Sequence, residues 1–191
     1  MNVADGNAAA VQLAWLSNLA GVHEGASGSG AQVALLGNFA RSYSGPQLSL
    51  FWKRNTDGAP LQLAALANLA GRFRGVQIAA VNLDGDDIAG AQIGVANAGA
   101  AKFSGLQFGL VNGCPGELDG WQVGLVNSTG GLSGLQFGAI NLAENAAGWQ
   151  IGLSNSAKTL RGVQIGLVNH ERDSRTPWLP LARVRFHSLF P

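Results

Sequence analysis

Large apolar residues alternate with smaller or polar ones in short runs along most of the chain. In one run the large side chains are Leu106, Phe108 and Leu110, with Gln107 and Gly109 between them. In the next, Trp121, Val123 and Leu125 alternate with Gln122 and Gly124. A period of two residues predicts β-strands rather than helices. Early Ala-rich copies such as LQLAALANLAG have helical propensity, but the same register runs through them, so they too are read as strands.

The run recurs as a repeat of Gly-x-Gln-x-Gly-x-x-Asn type. Its glutamines are Gln12, Gln32, Gln47, Gln62, Gln77, Gln92, Gln107, Gln122, Gln136, Gln150 and Gln164, which after the first step are spaced 14 or 15 residues apart. Asn82, Asn97, Asn112, Asn127, Asn141, Asn155 and Asn169 follow five residues after their glutamine. Asn18, Asn38 and Asn68 follow after six, which predicts a bulge, and the copy at Gln47, PQLSLFWKRN, is degenerate.

Antiparallel hairpins would place successive turns at opposite ends of a sheet and give alternating linkers. The linkers here are equivalent, so the expected fold is all-β: a parallel β-solenoid with one 14–15-residue coil per repeat, about 11 coils in all. Residues 1–169 form the repeat domain. Residues 170–191, which turn charged and contain Pro177, Pro180 and Trp178, form a C-terminal cap. In a parallel stack each residue lies ~4.8 Å above its equivalent. Gln would then stack on Gln and Asn on Asn as amide ladders. Asn is expected to turn a corner in the left-handed conformation, and the Gly before each strand to serve the opposite corner.

The usual hydrophobic logic puts the large apolar set inside, with Phe108, Val123, Phe137, Ile151 and Ile165 stacked in an internal column. Ile88, Phe103, Leu118, Leu132 and Leu160 would point inward from the return side. On this reading Phe137→Ala costs ~3–5 kcal/mol and Gln136→Ala only about 0.5–1.5 kcal/mol. The strip of Gln, Gly and Val then faces outward as a candidate interaction face, comprising Gln77, Gln92, Gln107, Gly109, Gln122, Gly124, Gln136, Gly138, Gln150, Gly152, Gln164 and Gly166. Its glycines would let another surface approach closely.

Composition narrows the classes. Of 191 residues 28 are Gly, 47% are apolar and 12% are charged, which argues against disorder. Net charge is +1, so no nucleic-acid footprint is indicated. No apolar run is long enough for a membrane-spanning helix. The start, MNVADGNAAAVQLAWL, lacks the basic region of a signal peptide, and a mature or truncated form is expected. Cys114 is the single cysteine and is read as an incidental small residue.

The units GLQFGLVN, GWQVGLVN and GVQIGLVN, with the closing PWLPLARVRF, resemble a family of bacterial surface-repeat proteins found in spirochaetes and other Gram-negative bacteria. The resemblance runs from about Gly75 to Phe186. It implies export and an extracellular or outer-cell-surface location, and it carries no catalytic residues.

Candidate chemistry is sparse. His23, His170 and His187 stand far apart, without second ligands at metal spacing. The acidic stretch LDGDD, 83–87, is read as a solvated turn, and HERD, 170–173, as part of the end cap. Catalytic, cofactor and metal residues are therefore expected to be absent. The expected function is non-enzymatic: attachment or self-assembly through regular faces or ends, toward copies of the chain or a host or cell-surface ligand. The alternatives are an outer-membrane β-barrel, suggested by the strand number and Phe190, and an enzyme or binding site carried on the solenoid.

Overall fold

The computed structural model describes residues 1–4, 8–20, 28–57 and 60–185. Among these the regular structure is all strand. The chain divides into two compact units, Met1–Gly99 and Ala100–Pro191.

In the second unit the strands Lys102–Phe108, Val111–Val123, Val126–Phe137, Ile140–Ile151 and Ser154–Glu171 pair in parallel. Equivalent residues align: Gln107 with Gln122, Gln136, Gln150 and Gln164, and Asn112 with Asn127, Asn141 and Asn155. In the first unit Gln12, Gln32, Gln47, Gln62, Gln77 and Gln92 align likewise. Stacked parallel coils of this kind are the expected β-solenoid. The barrel alternative falls on the same observation, because bacterial single-chain barrels run neighbouring strands antiparallel.

Spacing irregularities are absorbed at corners. Pro115 and Gly116 stand where the next coil has only Gly130, which marks the change from 15 to 14 residues. Leu63 and Ala67 pair with Ile78 and Val81, so the extra residue before Asn68 also sits at a corner, among Ala64, Ala65 and Leu66.

The orientation of the Gln strand is the reverse of the expected one. The repeat glutamines from Gln32 to Gln164 are buried, as are the asparagines from Asn18 to Asn169. Phe108 and Phe137, placed in an internal column by hydrophobic logic, are 53% and 52% exposed. Val123 and Ile151 are half-buried, and Ile165 is 41% exposed. The column exists in register but lies outside. The return side does point inward as expected, with Ile88, Phe103, Leu118, Leu132 and Leu160 all buried.

Hydrogen bonding explains the inversion. Each Gln side chain donates to the one before it: Gln122 to Gln107, Gln136 to Gln122, Gln150 to Gln136 and Gln164 to Gln150, at 2.7–2.8 Å. The second amide hydrogen crosses the interior to a carbonyl of the same coil, Ser128, Leu142, Ser156 or His170. The Asn ladder runs the other way. Asn112, Asn127, Asn141 and Asn155 each donate to the next Asn at 2.8–2.9 Å. Each also donates to a carbonyl of the next coil, from Val123, Phe137, Ile151 and Ile165. An amide carries both donors and an acceptor, so identical copies satisfy one another and burial costs little. Asn serves as this clamp rather than as a left-handed corner: among the described non-glycine residues only Ala100 and Leu181 have positive φ.

Asp84 also departs from expectation. It is buried rather than part of a solvated turn, and its carboxylate accepts from Gln77 and Gln92 side chains at 3.0 and 2.5 Å and from the Ala70 backbone at 3.0 Å. Desolvation pushes its pKa up to about 6, against the opposing pull of those hydrogen bonds.

The last coil is closed by Trp178–Arg185, which pairs antiparallel with Gly162–His170. Arg183 stands opposite Gln164 and is buried. Glu171 accepts from Arg183 at 2.8 Å and from Arg185 at 3.0 Å. Residues 186–191 of the expected cap lie outside the described residues.

Gln136→Ala leaves Gln122 Oε1, the Leu142 carbonyl and one Gln150 amide hydrogen unpaired, and is expected to cost about 3 kcal/mol. Phe137→Ala is expected to cost only about 1 kcal/mol, because half of the ring is already in water. Chemical denaturation of both variants checks the order, and a larger loss for Phe137→Ala would restore the opposite orientation.

Gly124→Ala is expected to destabilise by at least ~2 kcal/mol, since a Cβ there would lie 2.2 Å from the Gly109 carbonyl oxygen and 2.6 Å from Asn112 Nδ2. Urea midpoints for Gly124→Ala and Gly131→Ala provide the contrast, because a Cβ at Gly131 meets nothing closer than 3.5 Å.

Asp84 has a folded pKa near 6 against an ordinary value of 3.8. Its neutral form is favoured by folding, so its contribution is best below about pH 4, declines between about pH 4 and 6, and stays unfavourable above. Asp84→Asn is therefore expected to abolish this decline, so that the melting gap between variant and parent shifts in the variant's favour from about pH 4 to pH 7.5. A gap independent of pH would contradict the assignment.

Candidate interaction face

The Gln members of the expected interaction face are buried, while its Gly members, Gly109, Gly124, Gly138, Gly152 and Gly166, are only partly exposed. Gln77, Gln92, Gln107, Gln122, Gln136, Gln150 and Gln164 are buried in the ladder. Gly124, Gly138, Gly152 and Gly166 are glycine for an internal reason. A Cβ at any of them would approach a carbonyl oxygen of the previous coil to 2.0–2.3 Å and an Asn Nδ2 to 2.6–2.7 Å. The same position is Ala14, Ala34 and Ala64 in the coils whose Asn comes one residue later, where the corner is longer. Two residues before Gln77, Gln92, Gln107, Gln122, Gln136 and Gln164, the glycines Gly75, Gly90, Gly105, Gly120, Gly134 and Gly162 adopt φ of 135–154°, which only glycine visits without strain. Both glycines of Gly-x-Gln-x-Gly thus permit the coils to stack. Of the Val members, Val111 is half-exposed and Val126 is half-buried.

The outward surface of the second unit is built from the residues flanking each Gln. Leu106 and Phe108 share one rung, followed by Trp121 with Val123, Leu135 with Phe137, Trp149 with Ile151 and Val163 with Ile165. At the adjoining corner Leu110, Leu125, Leu153 and Leu167 are 52–64% exposed. Four half-exposed aromatic side chains, each worth ~150–250 Å² when fully covered, leave about 400 Å² outward. With the corner leucines, Val111 and Ile140, the face reaches on the order of 1,000 Å², above the ~300–600 Å² of the largest patch on an ordinary monomer. No Lys or Arg occurs between Phe103 and Ala157.

The first unit has an apolar groove of about 590 Å³, lined by Leu13, Trp15, Val33, Leu35, Leu48 and Leu50 among others. Its floor is the small-residue column of Ala14, Ala34 and Ser49.

Reactive groups are engaged elsewhere. Ser156 Oγ and His170 Nδ1 lie 3.1 Å apart, but the imidazole stacks on Trp178 with centroids 4.0 Å apart. The neighbouring carboxylate, Glu171, is committed to Arg183 and Arg185. Cys114 is buried, and burial pushes its thiol pKa up, away from the reactive thiolate. Among the described residues no three of His, Cys, Asp and Glu gather as a metal site, and no helix is long and apolar enough to cross a membrane. His23, His187 and Phe190 lie outside the described residues.

Sequence reasoning assigned the outer columns to the core. One signal in the repeats distinguishes the faces. The ladder positions keep Gln and Asn from rung to rung, because an amide ladder needs like over like. The flanking positions change among Leu, Trp, Val, Phe and Ile, as a surface permits. No protein-family model, curated protein or solved structure matches this chain, so the exposed apolar face is itself the guide to function.

Proposed function

We propose that this protein acts by contact: a surface-displayed, non-enzymatic solenoid serving attachment or assembly through its outer apolar face. The observation that carries the reading is the set of half-exposed Phe108, Trp121, Phe137 and Trp149 on a face without basic residues. Leaving such a face in water is unfavourable by roughly 25 cal/mol per Å², and covering it supplies the drive for association. The resemblance of the repeats to bacterial surface-repeat proteins supports display at the outer cell surface, where the occupant would be another copy or a cell-surface ligand.

The test replaces Phe108, Phe137 and Ile165 together by Thr. These side chains point outward, so the circular dichroism spectrum is expected to match the parent chain, with a stability loss of about 1 kcal/mol per side chain. Self-association by light scattering, and adherence of the displayed chain to cells, are expected to fall sharply. A folded triple variant that associates and adheres as well as the parent would overturn the reading.

A further inference from the structure

The outer face of the second unit is a checkerboard. Each of the first four rungs pairs one aromatic with one aliphatic residue, and the aromatic changes side at every step. It follows Gln in Phe108 and Phe137 and precedes Gln in Trp121 and Trp149. Exposure follows the same pattern. The four aromatics are 51–58% exposed and stand out as knobs. Leu106, Val123, Leu135 and Ile151 are only half-buried recesses beside them.

Such a pattern is complementary to itself. With a twofold axis along the strands, between the second and third rungs, Trp121 meets the second copy's Leu135, and Val123 meets its Phe137. With a twofold axis along the stack, Trp121 meets the second copy's Val123, and Leu135 its Phe137. Either way every knob meets a recess, as an isologous interface requires. Area agrees: a standard interface takes ~800 Å² per partner, and this face offers on the order of 1,000 Å². These rungs carry no charged side chain, so they offer nothing to steer or pair a charged partner.

We infer that the occupant of this face is a second copy of the chain, docked face to face as a homodimer with aromatic knobs in aliphatic recesses. The inference rests on the contact reading above and names its partner.

Val123→Trp tests it, because the variant enlarges the apolar area while filling a recess. In the first arrangement the new indole meets the second copy's Phe137, and in the second it meets Trp121. Sedimentation of the full chain is expected to show a dimer with Kd in the micromolar range or tighter, weakened at least about tenfold in the variant. Should Val123→Trp melt early, Trp121→Ala combined with Phe137→Ala removes two knobs from outward positions and is expected to weaken the dimer likewise. Flotation with phosphatidylcholine–phosphatidylglycerol vesicles separates a lipid occupant, since Val123→Trp would bind lipid at least as well as the parent chain. A parent chain that stays monomeric, with or without binding vesicles, overturns the homodimer. So does a Val123→Trp dimer as tight as the parent's. If that monomeric chain still adheres to cells through this face, the contact reading stands and only the partner is wrong.

Discussion

Two columns of buried amides, stacked like over like, organise each unit. An unpaired amide inside a protein costs ~1–3 kcal/mol per orphaned group, so a Gln or Asn column is tolerable only if every member meets its neighbour. The ladders run in opposite directions, Gln donating toward the N-terminus and Asn toward the C-terminus, and in the second unit Gln122 to Gln164 and Asn112 to Asn155 also clamp backbone carbonyls. Register is thereby specified by directional bonds as well as by hydrophobic packing. A slip of one residue would break both ladders at once.

Defects in the columns show the same constraint. In the first unit Lys53 stands in the Asn column between Asn38 and Asn68, and Asn68 Oδ1 is left without a hydrogen-bond partner. At the capped end Gln164 Oε1 has no next Gln to receive from, and the antiparallel strand brings Arg183 opposite it. The glycines belong to this arrangement too. One admits the φ that turns the backbone, and the other lets the Asn amide approach the next coil.

Filling the inward side of the Gln strand with amides has a consequence outside. The return side still buries large apolar residues such as Phe103, Leu118 and Leu132, but those flanking each Gln and at its corner are displaced to the surface, where Trp121 is 58% and Leu167 64% exposed. The protein therefore carries its hydrophobic surface as a regular lattice. Regularity connects the fold to the proposed contact function, because evenly spaced knobs and recesses can match another regular surface over many rungs. Reactive groups do not share this regularity: Asp84 stacks between Ala70 and Gly99, Cys114 against Thr129, and Ser156 against Leu142.

The sequence by itself determined strands, period, parallel stacking and the identity of the ladder columns. Period-two alternation, equivalent linkers and Gln and Asn recurring in step are all readable along one dimension. It also marked the inward return column, because Phe103, Leu118 and Leu132 stand beyond the glycine kink. Which face of the Gln strand points inward was decided only by tertiary structure. Alternation is symmetric between two faces, and the usual preference for apolar interiors chose the wrong one. Only the stacked coils reveal that the buried amides of the regular ladder, Gln107 to Gln164 and Asn112 to Asn169, find partners one coil away, which removes most of the cost on which that preference depends. The burial of Asp84 was hidden for the same reason, since its partner Gln92 belongs to the next coil. The alternation of aromatic knobs became a surface feature only once those side chains were found outside.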